Sequence, residues 1–244
     1  MRRSKDYLYF RGEKMSYKIL LFDLDDTLLD FAANETDSLN KLFQQQGYTF
    51  SDELFSVYNS VNKQLWSDYE NGNIVLDEVL NTRFSETMLR LGKVVDGIRW
   101  ENQYRELLGN GSQLMEGALE VCQSLSVSHR LFVITNGITQ TQIKRLKQSG
   151  LYEFFEDIFD SQSIGFQKPS KEFFHYVISH IKDFNIKEAL IIGDSLTTDI
   201  KGGLLSAIDT CWINIKTQKC NEEIQSTYTV TSLVELYDIC TPIK

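Results

Sequence analysis

Short apolar runs that stop abruptly at polar residues recur along this chain. Ile19-Leu20-Leu21-Phe22 ends at Asp23-Leu24-Asp25-Asp26-Thr27, and Leu131-Phe132-Val133-Ile134 ends at Thr135-Asn136-Gly137. Leu190-Ile191-Ile192 ends at Gly193-Asp194-Ser195, and Cys211-Trp212-Ile213 runs on to Asn214. Apolar runs of this length, without alternation, predict strands buried on both faces. Helical patterns separate the later runs, at residues 117–126, 139–148, 171–181 and 197–207. Strand alternating with helix predicts an α/β fold: a Rossmann-like parallel sheet with right-handed crossovers. Its polar strand ends then gather along one edge, where such sheets place their ligands.

Residues 34–109 interrupt this alternation. The pattern there is helical over 35–46, 52–70, 77–91 and 98–108, punctuated by Gly47, Asn71-Gly72-Asn73, Gly92 and Gly109-Asn110-Gly111 as turn and helix-stop residues. A four-helix-bundle-type block inserted directly after the first strand is expected to act as a cap domain. The expected organisation is an α/β core of 15–33 and 110–244, the cap of 34–109, and an N-terminal extension of 1–14. That extension holds five Lys/Arg against two acids and lacks an apolar segment, so it does not read as a secretory signal.

Composition narrows the function classes. With 244 residues, 42% of them hydrophobic, the chain has material for a sizeable core plus an insertion. A net charge of −9 disfavours binding to nucleic-acid polymer or to an anionic membrane surface. No apolar run approaches the ~18 residues of a membrane span. Cys122, Cys211, Cys220 and Cys240 form no C-x-x-C pair, which suits reduced thiols in a cytoplasmic protein rather than a zinc site.

The strand ends carry the candidate chemistry. Asp23 and Asp25, spaced i, i+2, would repel by about 4 kcal/mol at ~4 Å and an effective dielectric of ~20 unless a cation lies between them. Mg²⁺ is the hard-oxygen partner for such a pair. Asp23 is the candidate nucleophile toward a phosphoryl group, and Asp25 the candidate acid/base. An N-cap cluster opening the next helix is the plainer alternative. Thr135-Asn136-Gly137 offers a hydroxyl and approachable backbone N–H groups for phosphate, although Asn-Gly is also a common turn. Lys168 precedes Pro169 at a helix start and is placed to neutralise a phosphate and Asp23. Asp194 suits a metal ligand, and Asp199 an orienter of metal-bound water; a first-turn acid favoured by the helix dipole is the simpler reading of Asp199.

Taken together and in this order, Asp23/Asp25, Thr135, Lys168 and Asp194/Asp199 resemble the four motifs of the haloacid dehalogenase-like (HAD) hydrolase superfamily. The insertion resembles that superfamily's small helical cap. Leu65-Trp66-Ser67-Asp68-Tyr69-Glu70-Asn71-Gly72 and Asn81-Thr82-Arg83-Phe84, with Val133-Ile134-Thr135-Asn136-Gly137, Gly165-Phe166-Gln167-Lys168-Pro169 and Ile192-Gly193-Asp194-Ser195-Leu196, are similar to a 5′-nucleotidase branch of the YjjG/YfnB type. The resemblance implies a Mg²⁺-dependent phosphomonoester hydrolase working through an aspartyl-phosphate, on pyrimidine or modified nucleoside monophosphates. It also implies metal ligation by Asp23, the main-chain carbonyl of Asp25, and Asp194. Trp66, Tyr69 and Phe84 are candidate substrate contacts in the cap, against the plainer expectation that each packs the cap's own core.

Other readings follow from the same residues. A sugar-phosphate or phosphoglycolate phosphatase differs only in its cap. Dehalogenation needs no metal and lacks the second acid, which Asp25 and Asp194 argue against; a mutase stays open. A phosphoacceptor module or an interaction scaffold is the non-enzyme alternative. The expected partner is a small phosphorylated metabolite, a nucleotide by the resemblance, and oligomeric state is left open.

Overall fold

The computed structural model describes residues 17–219 and 223–240. The basic extension of 1–14 and Cys220 therefore lie outside the described residues.

In chain order, β1 (Ile19–Phe22) leads into four helices: α1 (Phe31–Gln45), α2 (Asp52–Glu70), α3 (Leu76–Arg90) and α4 (Gly97–Gly109). Next come α5 (Ala118–Leu125), β2 (Arg130–Thr135), α6 (Thr139–Ser149), β3 (Asp157–Asp160), α7 (Ser161–Ile164), α8 (Lys171–His180) and β4 (Ala189–Gly193). A π-type turn (Leu196–Ile200), α9 (Lys201–Ser206), β5 (Asp209–Ile213), β6 (Tyr228–Val230) and α10 (Leu236–Cys240) complete the described chain. By mutual contacts the chain divides into two compact units.

The first unit is the α/β one. Its six strands lie in the order β3-β2-β1-β4-β5-β6, and every pairing is parallel. Central β1 is buried along its whole length, as its unbroken apolar run predicts. Phe22 lies in register with Val133 on one side and Ile192 on the other. Asp23, Thr135 and Asp194 therefore sit at or just past the carboxyl ends of three adjacent strands. One sheet face is covered by Phe173, Phe174 and Val177 of α8, which pack against a cluster including Leu21, Ile134 and Ile191.

Two strands were not expected. β3 is only Asp157-Ile158-Phe159-Asp160, an edge segment with acids at both ends, and β6 is three residues on the opposite edge. Edge strands need apolar residues on fewer positions, so neither presents the run that marks β1 or β4. The helix expected at 197–207 is likewise two elements. The carbonyl of Ser195 accepts from both Asp199 N (3.1 Å) and Ile200 N (3.1 Å), which widens the first turn before α9 begins.

The second unit is helical and comprises residues 31–113 together with 138–148. The sequence placed the insertion at 34–109 and α6 with the sheet. Contacts carry the unit outward at both ends and group α6 with it, the guanidinium of Arg145 lying 5.6 Å from the ring centre of Phe31. Phe43, Tyr58, Phe84, Trp100 and Tyr104 form its aromatic core. Ser51 and Asp96 cap α2 and α4 by accepting from Leu54 N and Arg99 N. Within this apolar packing lies a buried ion pair. Arg83 donates from Nε and Nη2 to the two carboxylate oxygens of Glu101 at 2.6 and 2.7 Å, with Asn62 Oδ1 at 3.3 Å from Nη1. Among the described residues no helix is long and apolar enough to cross a membrane.

Candidate active site

β1 delivers Asp23 to the sheet edge, where its N–H donates to Ile192 O at 2.8 Å. The chain then turns back tightly: Leu24 O accepts from both Leu28 N and Leu29 N at 2.9 Å. Asp26 adopts a left-handed conformation in this loop (φ 57°) and accepts from Lys216 Nζ at 2.8 Å. Asp25, half-buried, sits in the same turn. Thr27 links two strand ends: its hydroxyl donates to Asp23 Oδ2 at 3.1 Å and accepts from Asp194 N at 3.1 Å.

Lys168 is 2% exposed. Its ammonium donates to Asp23 Oδ1 at 2.6 Å, Asp199 Oδ1 at 2.7 Å and Ile134 O at 2.9 Å. Three donors with three acceptors leave the ammonium fully satisfied, as a buried cation requires. Asn136 positions the backbone beneath it: Asn136 Nδ2 donates to Lys168 O at 3.0 Å and Lys168 N donates to Asn136 Oδ1 at 2.8 Å. The amide side chain of Asn136 is thus spent on Lys168. Thr135 is buried at the end of β2, and its Oγ1 accepts from Gly137 N at 3.0 Å.

On the other side of β1, Asp194 is held through its backbone, its carbonyl accepting from Trp212 Nε1 at 2.8 Å. Asp199 is fully buried, with one oxygen on Lys168 and the other accepting from Ser195 N at 3.2 Å. Carboxylate oxygens of Asp23, Asp194 and Asp199 lie within 4.8 Å of one another. Burial raises the Asp23 carboxyl well above the usual range, with Lys168 pulling it back. Burial likewise raises Asp194, and the nearby Asp23 charge adds to it. One lysine against this group of acids leaves an oxygen-rich, negative pocket that a small hard cation suits.

Of the candidates on the helical unit, Phe84 is fully buried, its ring closely surrounded by Phe43, Tyr58, Trp100 and Tyr104. Its place is structural packing. Tyr69 is also buried, edge-on to half-buried Trp66 with ring centres 5.8 Å apart.

Two contributors escaped the sequence reading. Gly193 allows Asp199 to approach the strand end: a Cβ there would lie 2.3 Å from Asp199 Oδ2. Trp212 holds the Asp194 carbonyl from the next strand. The Gly-Asp pair after an apolar run marks the first; nothing local in the sequence marks the second.

The haloacid dehalogenase-like hydrolase family model matches residues 17–205. The HAD-hydrolase YfnB of Bacillus subtilis strain 168 is 46% identical over 91% of this chain and 95% of its own length. Its magnesium-bound crystal structure superposes with a TM-score of 0.88, covering 93% of this chain and 100% of that one at 45% identity. Pyrimidine 5′-nucleotidase PynA of Streptococcus pneumoniae R6 is 39% identical over 92% of this chain and 95% of its own. Pyrimidine 5′-nucleotidase YjjG of Escherichia coli K12 is 31% identical over 91% and 97%. With its four motifs converging at one sheet edge and a family match spanning most of its length, this chain is a member of the haloacid dehalogenase-like hydrolases.

Proposed function

We propose that this hydrolase is a Mg²⁺-dependent 5′-nucleotidase that cleaves pyrimidine or modified nucleoside monophosphates through an aspartyl-phosphate on Asp23. The observation that carries the phosphatase reading is the three-carboxylate cluster of Asp23, Asp194 and Asp199 with Lys168 bound to two of them. The nucleotidase reading rests on the similarity to PynA and YjjG.

The donor set fits magnesium: hard carboxylate oxygens on rigid strand ends. Asp23, the Asp25 main-chain carbonyl and Asp194 would hold the ion, which supplies positive charge against the phosphate oxygens. Asp23 attacks phosphorus, and the bond to the nucleoside oxygen breaks. Asp25 gives that oxygen a proton, then takes one from the water that attacks the acyl phosphate, returning Asp23 and inorganic phosphate. Thr135 and the backbone of Asn136 and Gly137 hold phosphate oxygens. Lys168 keeps the charge of Asp23 in check, and Asp199 keeps Lys168 in place.

The phosphate site is built from the α/β unit alone and is indifferent to the leaving group. Selectivity is assigned to the helical unit, with Trp66 and Tyr69 as the aromatic candidates for stacking on a base, an interaction of about 1–3 kcal/mol.

The test is phosphate release from nucleoside 5′-monophosphates, ribose 5-phosphate and phosphoglycolate, with Mg²⁺ and with EDTA. The expected result is at least a tenfold higher kcat/KM for a pyrimidine nucleotide and silence under EDTA. Preference for ribose 5-phosphate or phosphoglycolate would replace the substrate while keeping the phosphatase chemistry. Full activity after exhaustive chelation would rule out metal dependence.

A further inference from the structure

The fourth apolar run, Cys211-Trp212-Ile213, forms β5 and ends at Asn214, and the chain beyond it has no part in the chemistry assigned so far. That chain folds back on Asn214, which is buried. Gln218 N donates to Asn214 Oδ1 at 2.8 Å, and Asn214 Nδ2 donates to Gln218 O at 3.0 Å. Asn214 N donates to Val230 O at 2.8 Å, and Thr217 N donates to Asn214 O at 3.1 Å. A buried amide that commits both of its ends to one backbone residue holds a short loop in a single shape. The loop carries Lys216, whose ammonium donates to Asp26 Oδ2 at 2.8 Å across 190 positions of sequence.

Asp26 follows Asp25 in the turn from Leu24 to Leu29. Both flanks of that turn are pinned by backbone bonds, Asp23 N to Ile192 O at 2.8 Å and Met115 N to Leu28 O at 2.9 Å. Between them Asp26 is left-handed (φ 57°), a conformation that Asp tolerates better than most residues but that still costs free energy. Lys216 grips the turn at this residue. The hydrogen bond to Asp26 raises the Lys216 ammonium above its ordinary value, and the charges of Asp26, Asp194 and Asp30 add to it. The two side chains are 59% and 22% exposed, and a pair this exposed adds little to overall stability. Its leverage is local, on the backbone that carries Asp25.

We propose that Lys216 is a positioning residue, acting through Asp26 to hold the turn that sets the carboxyl and main-chain carbonyl of Asp25. Its effect on catalysis rests on the phosphohydrolase reading; the bracing of the turn does not.

The experiment compares Lys216→Met, Asp26→Asn and the double variant, with Lys216→Arg as the conservative control. Hydrogen exchange of the Leu28 and Leu29 amides, both bonded to Leu24 O, is followed in metal-free protein. Exchange about fivefold faster or more is expected in each of Lys216→Met and Asp26→Asn, with no further gain in the double variant and wild-type rates in Lys216→Arg. The Tm of Lys216→Met is expected to stay within about 3 °C of wild type. With p-nitrophenyl phosphate and Mg²⁺, kcat is expected to fall about three- to tenfold in both single variants at nearly constant KM, and no further in the double variant. The two substitutions change the local charge in opposite senses. A common fall in kcat therefore reports position, whereas opposite changes would report only the field of the charges and overturn the proposal. Wild-type exchange rates in Lys216→Met, or additive effects in the double variant, would overturn it as well. A wild type inactive toward phosphomonoesters would refute the phosphohydrolase reading instead, and the exchange rates would still decide whether Lys216 braces the turn.

Discussion

Lys168 Nζ lies 2.7 Å from Asp199 Oδ1, and both groups are almost wholly removed from solvent. Asp199 is thereby the anchor of the lysine rather than a free acid at a helix start. A buried ion pair of this kind tolerates the loss of neither partner, because the survivor is an uncompensated buried charge. Asp23 shares the same ammonium at 2.6 Å.

Lys168→Met is therefore expected to lower kcat/KM by about 10²–10³-fold, the range seen when one electrostatic contributor to a site is removed. Asp199→Asn is expected to act in the same direction through displacement of Lys168. Steady-state kinetics on both variants, with circular dichroism to confirm the fold, checks this; an unchanged kcat/KM for Lys168→Met would reduce the lysine to a structural cation.

Asp23→Asn is expected to abolish turnover while the fold persists. Asp25→Asn is expected to lose the ~10²–10⁴-fold of general acid–base catalysis. Rapid quench with radiolabelled substrate should detect a phosphorylated protein in the wild type and none in Asp23→Asn. Near-normal hydrolysis by that variant would remove Asp23 from the mechanism.

Gly193→Ala tests the close approach at the end of β4. The new Cβ would lie 2.3 Å from Asp199 Oδ2 and 2.4 Å from its Cγ, so Asp199 has to move. The expected outcome is a substantial fall in kcat together with a stability loss of about 1–3 kcal/mol from overpacking. Chemical denaturation and kinetics measure the two effects separately. Wild-type kcat in a folded Ala variant would mean that the position of Asp199 is not critical.

The carboxylate cluster predicts a pH dependence in metal-free protein. Burial raises Asp23 to about 7 and Asp194 to about 8, above the ordinary carboxylate value of the unfolded chain. Between the unfolded and folded values the native state binds more protons than the unfolded state, so stability falls as pH rises. The contribution is fully present below about pH 4 and is lost on passing through about 7 and 8. Asp194→Asn is expected to raise the Tm of EDTA-treated protein at pH 8–9 relative to wild type and to abolish the Tm gain from added Mg²⁺. Scanning calorimetry at pH 5.5 and 8.5 provides the comparison; an equal Mg²⁺ response in both proteins would exclude Asp194 as a ligand.

Arg83 and Glu101 form a bidentate pair inside the helical unit, 3% and 1% exposed. Arg83→Met leaves the buried Glu101 carboxylate with only the longer contact to Arg105 Nε at 3.5 Å and is expected to cost about 3–5 kcal/mol. A double variant, Arg83→Met with Glu101→Leu, is expected to recover much of that loss. Urea denaturation of wild type, Arg83→Met, Glu101→Leu and the double variant resolves the coupling, and additive single losses would contradict it.

Much of the site could be read from local pattern, because the candidate site draws on strand ends and a strand end is a local event. The run Ile19 to Phe22 followed by Asp23 and Asp25, and the run Leu190 to Ile192 followed by Asp194, announce both a buried strand and an acid at its edge. That these strands lie beside one another is a consequence of parallel pairing, which the alternation with helices already implied. Edge strands β3 and β6 left no such mark, since an edge has less apolar surface to bury. What the linear chain does not encode locally is how residues far apart share a partner. Lys168 meets Asp23 across 145 positions, and Trp212 reaches Asp194 from the adjacent strand. The burial of Phe84 and the pairing of Arg83 with Glu101 are decided in the same way. A helix face names which side is apolar, but only packing determines whether a ring or charge on it meets solvent, substrate or another side chain.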